Sequence, residues 1–408
     1  MMTTFLLIII YLAFISLGLP DSLLGAAWPV MQSDFDAPLE TGGYLFMTIA
    51  GGTIISSLVS GKVLKRFGTG KVTFVSVLMT ACALLGFYFA PSIIWLFLCA
   101  IPLGLGAGAV DSGLNDYVAT HYKAHHMSWL HCFWGIGATL GPVIMAQYIS
   151  NQNWGKGYLT ISGLQFILVG ILLFTLPLWN RVNSHMTINN EPEESKGDSF
   201  NDNAENVKPL QINGVKLALV SFFFYCAVEA TVGLWGSSFL VNVKGLTAAT
   251  AAKWVSFYYA GITIGRFITG FVTFKMSNQM LIRMGQIIAL TGAFLLVLPL
   301  PSFFSVVGFI VVGLGLAPIF PCMLHETPVR FGKEHSQTIM GYQMAVAYSG
   351  TTFMPPLFGL IASHTTIALF PICTVIFVVA MVLSSEKLNL VQKKRVLINN
   401  KNKSSTVI

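Results

Sequence analysis

An all-α polytopic membrane protein is the fold class this sequence predicts, and three observations predict it. Of 408 residues, 54% are hydrophobic and 10% charged, with a mean hydropathy of +0.72. Soluble domains carry about 25% charged residues, so this chain has too few to coat a water-facing surface. The apolar residues also gather in stretches of about 20, the length that crosses a bilayer as a helix. Finally, these stretches number twelve and fall into two sixes around one long polar segment.

The first six spans cover residues 5–31, 42–64, 72–90, 93–119, 129–150 and 157–179. The second six cover 215–242, 249–274, 279–299, 302–325, 336–362 and 366–384. Short Gly/Pro/Ser connectors join most of them. Span 1 is longer than a signal-peptide core and no cleavage pattern follows it, so it is expected to be retained. Between the sixes lies Asn180 to Asn213, with "NNEPEESKGDSFNDNAENVKP", too polar to bury a core and therefore read as a flexible cytoplasmic linker. The expected organisation is an N-terminal six-helix bundle (1–180), a linker (181–213), a C-terminal six-helix bundle (214–385) and a basic cytoplasmic tail (386–408).

Charge sets the orientation. With the N-terminus cytoplasmic, 19 of the 23 Lys and Arg fall on the cytoplasmic side, Lys156, Lys244 and Lys253 fall outside, and Arg266 lies within a span. This satisfies the positive-inside rule and places both termini in the cytoplasm. The net charge of +7 is thus a topology signal and no argument for nucleic acid. The six cysteines all lie within spans without paired spacing, so neither a disulfide framework nor a metal site is expected. His121, His125 and His126 suggest a metal cluster by count, but they sit beside Lys123 with no acidic or Cys partner and are expected in a solvated loop. No cofactor is implied.

The halves share a plan. Asp21 matches Glu229 at an offset of 208, Gly52 and Gly61 match Gly261 and Gly270 at 209, and Gly104-Leu105-Gly106 matches Gly313-Leu314-Gly315 at 209. Gly137 to Pro142 pairs with Gly350 to Pro355 at 213. Four matches in register argue for a parallel repeat about an axis along the membrane normal. That describes the major facilitator fold, whose substrate site lies between the halves near mid-membrane. The loop "GKVLKRFGTGK" is similar to that superfamily's conserved loop between spans 2 and 3, with Gly61, Arg66, Gly68 and Lys71 as its conformational residues. Lys65 stands where an acid is usual.

An ionisable side chain at mid-bilayer costs roughly 2.5–3.5 kcal/mol on insertion scales, so each needs a partner or a water-filled cavity. Asp21 follows Pro20, which removes a backbone hydrogen bond and exposes carbonyls that a cavity can use; the plainer reading is a capped structural carboxylate. Asp111 and Asn115 are four apart on one face of span 4, where Gly104, Gly106, Gly108 and Gly113 allow close helix approach, and could serve packing alone. Asp116 points elsewhere, towards a helix end. Glu229 is the repeat partner of Asp21, with Trp235 nearby as an aromatic that could hold a sugar ring or simply fill space. Arg266 either snorkels to the headgroups or pairs with a carboxylate. His131, Trp134, Gln343 and Tyr348 are further candidate cavity groups.

The whole chain resembles the fucose permease-like branch of the major facilitator superfamily, the fucose, galactose and glucose proton symporters and their relatives. Gly18-Leu19-Pro20-Asp21 keeps the family's span 1 acid and loses its asparagines. Gly104-Leu105-Gly106, Asp111 and Asn115-Asp116-Tyr117-Val118 follow its span 4 pattern with a shortened acid and no proline. His131 and Trp134 stand where the family has Gln and Asn, Gly265-Arg266-Phe267 matches its span 8, and Glu229 with Trp235 is similar to its glucose-type members. The resemblance implies that Asp21 and Asp111 are the proton and substrate carboxylates.

The expected function is secondary active transport: proton-coupled uptake of a sugar or related polar molecule by a multi-pass monomer in the bacterial plasma membrane. Asp111 would carry the proton, because a carboxylate away from bulk water is more readily protonated. Substrate would meet Asp21, Asn115, His131, Trp134, Glu229, Trp235, Gln343 and Tyr348. Sodium could replace the proton. The alternative is a proton antiporter exporting a hydrophobic or cationic compound, since Gly137 to Pro142 resembles an exporter motif. No nucleotide loop or nucleophile with a nearby base supports an enzyme, and no appended soluble domain supports a receptor.

Overall fold

The computed structural model describes residues 2–122, 124–151, 153–189, 209–273 and 275–405. Fourteen α-helices build twelve spans among these residues, because two spans are broken at proline. Span 1 comprises α1 (Met2–Asp21) and α2 (Leu23–Asp34), and span 10 comprises α11 (Phe303–Leu316) and α12 (Ile319–Phe331). The others are α3 (Thr41–Phe67), α4 (Thr69–Tyr88), α5 (Ile93–His121), α6 (Ala124–Ile149), α7 (Trp154–Asn189), α8 (Val215–Asn242), α9 (Ala248–Val272), α10 (Asn278–Val297), α13 (Lys333–His364) and α14 (Phe370–Ser405). Helices α7 and α14 continue past the apolar stretches that predict them. Of the expected linker and tail, residues 190–208 and 406–408 lie outside the described residues.

Twelve helices among the described residues are long and apolar enough to cross a membrane. The surface inverts the usual rule: large apolar side chains such as Leu58 and Phe174 are among the most exposed, as lipid contact requires.

The internal repeat is visible in packing. A Cβ added to Gly104 would lie 2.1 Å from the Ile49 carbonyl on α3, and one on Gly106 would lie 2.6 Å from the Ser76 carbonyl on α4. Their repeat partners behave alike: Gly313 meets the Tyr258 carbonyl of α9 at 2.2 Å and Gly315 meets Ala289 N of α10 at the same distance. Gly137 abuts the Ile15 carbonyl and Gly350 that of Phe223, partners 208 residues apart. Small residues let these backbones touch where no hydrophobic effect drives helices together in lipid.

Between the halves, α6 packs along α9, α3 along α13, and α2 against α8. At the end remote from the termini the contact is backbone to backbone, with Gly25 so placed that a Cβ would lie 2.2 Å from the Gly233 carbonyl. The halves are therefore in direct backbone contact at that end.

Candidate functional site

The broken turn of span 1 places the first carboxylate. Pro20 has no N–H, so the Ser16 carbonyl four residues earlier loses its helical donor. The carbonyl is not left to a cavity, as the sequence suggests; Gln165 of α7 fills the role, its Nε2 donating at 2.9 Å. Thr80 donates to Gln165 Oε1 at 2.8 Å. Asp21, the last residue of α1, remains exposed, and its Oδ2 accepts from Trp134 Nε1 of α6 at 2.7 Å.

Asp111 and Asn115 form the pair their spacing predicts. Asn115 Nδ2 donates to Asp111 Oδ1 at 2.9 Å and to the Asp111 carbonyl at 3.0 Å. Asp111 is within electrostatic reach of Asp21 and of Tyr348 on α13, whose own hydrogen-bond partner is Ser57 of α3. Asp116 is exposed near the end of α5, apart from this group.

Arg266 resolves in favour of pairing. Its Nη2 donates to Glu229 Oε1 at 3.2 Å, with the two side chains 15% and 23% exposed. Tyr258 donates to the Glu229 carbonyl at 3.1 Å. The guanidinium also lies over the Trp134 ring, 5.3 Å from its centroid, within range of a cation–π attraction. A continuous chain results: Glu229 holds Arg266, Arg266 sits on the face of Trp134, and Trp134 donates to Asp21. The two ends are repeat-equivalent carboxylates, one in each half. Residue 57, the repeat position of Arg266, is a serine, so one cation stands between the two acids.

Trp235 and Gln343 lie elsewhere. Trp235 is fully buried and donates from Nε1 to the Pro355 carbonyl at 2.8 Å, packed near Phe358. Gln343 is equally buried, its Oε1 accepting from Thr327 at 2.9 Å near the terminus side of the second half. There Glu326 pairs with Arg330 at 3.1 Å and accepts from Gln279 at 3.3 Å. His131 is half-buried, edge-on to Phe14 and within electrostatic reach of Arg266.

In the loop between α3 and α4, Gly68 adopts φ 80°, ψ 151°, a conformation essentially restricted to glycine. Gly61, Arg66 and Lys71 are exposed around it, and Arg66 lies over the ring of Phe67. The tripeptide Arg66-Phe67-Gly68 recurs as Arg330-Phe331-Gly332, with Gly332 at φ 90°, ψ 150°. The histidines expected in a solvated loop need correction. His121 closes α5 and stacks on Tyr117 at 4.2 Å, and Nδ1 of His126, in the first turn of α6, lies 2.8 Å from the Tyr11 hydroxyl. The side chain of His125 lies outside the described residues.

Sequence reasoning passes over Gln165, Thr80 and the Glu326–Arg330 pair. A lone amide in the apolar run "LQFILVGILLF" and the i, i+4 spacing in "HETPVR" were the available signals.

Twelve helices long and apolar enough to cross a membrane, with polar side chains of α1, α5 and α6 meeting those of α8, α9 and α13, describe a transporter-type membrane protein. The sequence matches the Major Facilitator Superfamily over residues 10–350, and the chain belongs to that family. Among its relatives, bypass of stop codon protein 6 of Saccharomyces cerevisiae is 23% identical over 385 residues, 88% of this chain and 77% of that protein. The glucose/mannose transporter GlcP of Bacillus subtilis is 24% identical over 323 residues, 77% of each chain. The crystal structure of a D-xylose-proton symporter superposes with a TM-score of 0.75 at 13% identity, covering 94% of this chain and 96% of the other, which shows a common fold.

Proposed function

We propose that the protein imports a neutral sugar or related polyol together with a proton, by alternating access, as a monomer in the cell membrane. The observation that carries this reading is the chain Glu229–Arg266–Trp134–Asp21, which runs from one bundle to the other beside Asp111.

Charge favours the substrate class. Asp21, Asp111 and Glu229 outnumber Arg266, and Glu229 balances the charge of its guanidinium. What the site offers a ligand is carboxylate oxygens, an amide and the Tyr348 hydroxyl, which suit a hydroxyl-rich molecule and repel an anion. That GlcP bears the name of a glucose/mannose transporter agrees with this. Asp111, held only by neutral Asn115 in the contacts described, is the group best suited to take up and release a proton, with sodium as the competing ion. Asp21 then hydrogen-bonds substrate hydroxyls in competition with Trp134. The lysine and arginine asymmetry supports cytoplasmic termini. On that orientation the close contact of Gly25 with Gly233 lies on the outer side.

The exporter reading drew on Gly137 and Gly141, but both press against α1 carbonyls and have a packing role sufficient to account for them. A thermal-shift series on purified protein with D-glucose, D-mannose, inositol, benzoate and tetraphenylphosphonium tests the class. Stabilisation by a hexose or polyol alone is expected. Stabilisation by tetraphenylphosphonium alone would favour export of hydrophobic cations, and by benzoate alone would overturn the charge argument.

A further inference from the structure

We infer that Gln165 is a positioning residue for Asp21: its side-chain amide replaces the backbone N–H that Pro20 lacks and so fixes the turn that aims the carboxylate at Trp134. The inference rests on the reading of Asp21 as part of the transport site, but its geometry stands independently.

The Ser16 carbonyl lies in the interior, where an orphaned backbone oxygen is costly and water is scarce. Ser16, Thr80 and Gln165 are all buried, Gln165 being 1% exposed. The cavity beside them, lined by Ser16, Pro20, Thr80 and Gln165 among others, measures about 10 Å³, at the lower limit for one water. Solvent therefore has little room to stand in for the amide. The Ser16 carbonyl sets the amide's direction: it can only accept, so Nε2 must face it, and Oε1 then faces the Thr80 hydroxyl, whose proton is within reach of both Oε1 at 2.8 Å and the Val77 carbonyl at 2.9 Å.

The opposite side of the same turn is fixed by backbone. A Cβ on Gly18 would lie 2.1 Å from the Trp134 carbonyl, and one on Gly141 would lie 2.5 Å from the Leu19 carbonyl. Span 1 is thus held between α6, which carries Trp134, and α7, which carries Gln165. Past Pro20 the helix ends at Asp21 and restarts at Leu23, so the direction of Asp21 depends on how that single turn is closed. The Asp21–Trp134 hydrogen bond at 2.7 Å is the product.

A rescue experiment tests this. The full chain is labelled with ¹⁵N-tryptophan in lipid nanodiscs, and the Trp134 indole N–H resonance is assigned by its disappearance in Trp134→Phe. Gln165→Leu is expected to abolish the hydrogen-bonded position of that resonance and move it to that of a free indole. Pro20→Ala combined with Gln165→Leu is expected to restore it, because the introduced alanine supplies a backbone N–H to the Ser16 carbonyl. If Gln165→Leu does not fold, Gln165→Met, which also lacks a donor, replaces it in the same cycle, with the same loss and the same rescue expected. An unmoved resonance in the single variant, or no recovery in the double variant, overturns the inference. Flux is not read, so absence of sugar transport by the wild type would refute the functional reading and leave this one standing.

Discussion

Glu229→Gln is the perturbation whose cost follows most directly from the geometry. At 3.2 Å the Arg266–Glu229 attraction is about 5 kcal/mol at an effective dielectric of 20, much of it offset by desolvating both groups. Removing one partner of a fully buried pair costs about 3–5 kcal/mol, because the other charge is stranded. With side chains 15% and 23% exposed, water relieves part of that, and about 2–3 kcal/mol is expected. Denaturant titration in detergent micelles, monitored by circular dichroism, measures it. The double variant Glu229→Gln/Arg266→Gln should recover most of the loss, since no charge is then stranded, giving a coupling energy above about 1 kcal/mol. A cost below about 0.5 kcal/mol for Glu229→Gln, or strict additivity in the double variant, would refute the pairing that holds Arg266 within the second half.

Three other outcomes follow from the same contacts. Trp134→Phe keeps a ring under Arg266 and should lose less stability than Trp134→Leu, the difference being about 0.5–2 kcal/mol on the same titration. Gly137→Val places a branched side chain where a Cβ already falls 2.1 Å from the Ile15 carbonyl, so it should cost at least about 3 kcal/mol or abolish recovery of folded protein in size-exclusion chromatography. Gly68→Ala must adopt φ 80°, ψ 151° and should cost about 1–3 kcal/mol in thermal unfolding, with Gly332→Ala showing a similar loss.

The fold was legible because a bilayer leaves so few solutions: apolar length announces each span, and the glycine register announces the repeat, down to Gly137 and Gly350 meeting carbonyls 208 residues apart. Within the site, Asp111 with Asn115 was readable because helical spacing alone brings i and i+4 together. Arg266 was only half readable, since the sequence shows a charge inside a span and not which of two fates it meets. Trp235 misled because an aromatic beside an acid on one helix says nothing of which way either faces; its indole turned into the α8–α13 contact. Gln165 escaped because its meaning lies in a carbonyl on another helix, 149 residues away, that Pro20 had released. Cross-helix relations of this kind have no local signature.

On the proposed function, a proton bound at these carboxylates drives uptake of a neutral sugar. Its most direct test is uptake of radiolabelled D-glucose into proteoliposomes with an inwardly directed pH gradient, comparing the wild type with Asp111→Asn. Accumulation above equilibrium that collapses with a protonophore, and is lost in Asp111→Asn while glucose exchange across the membrane persists, is the predicted result. Accumulation unaffected by Asp111→Asn, or glucose uptake that never exceeds equilibrium under the gradient, would contradict it.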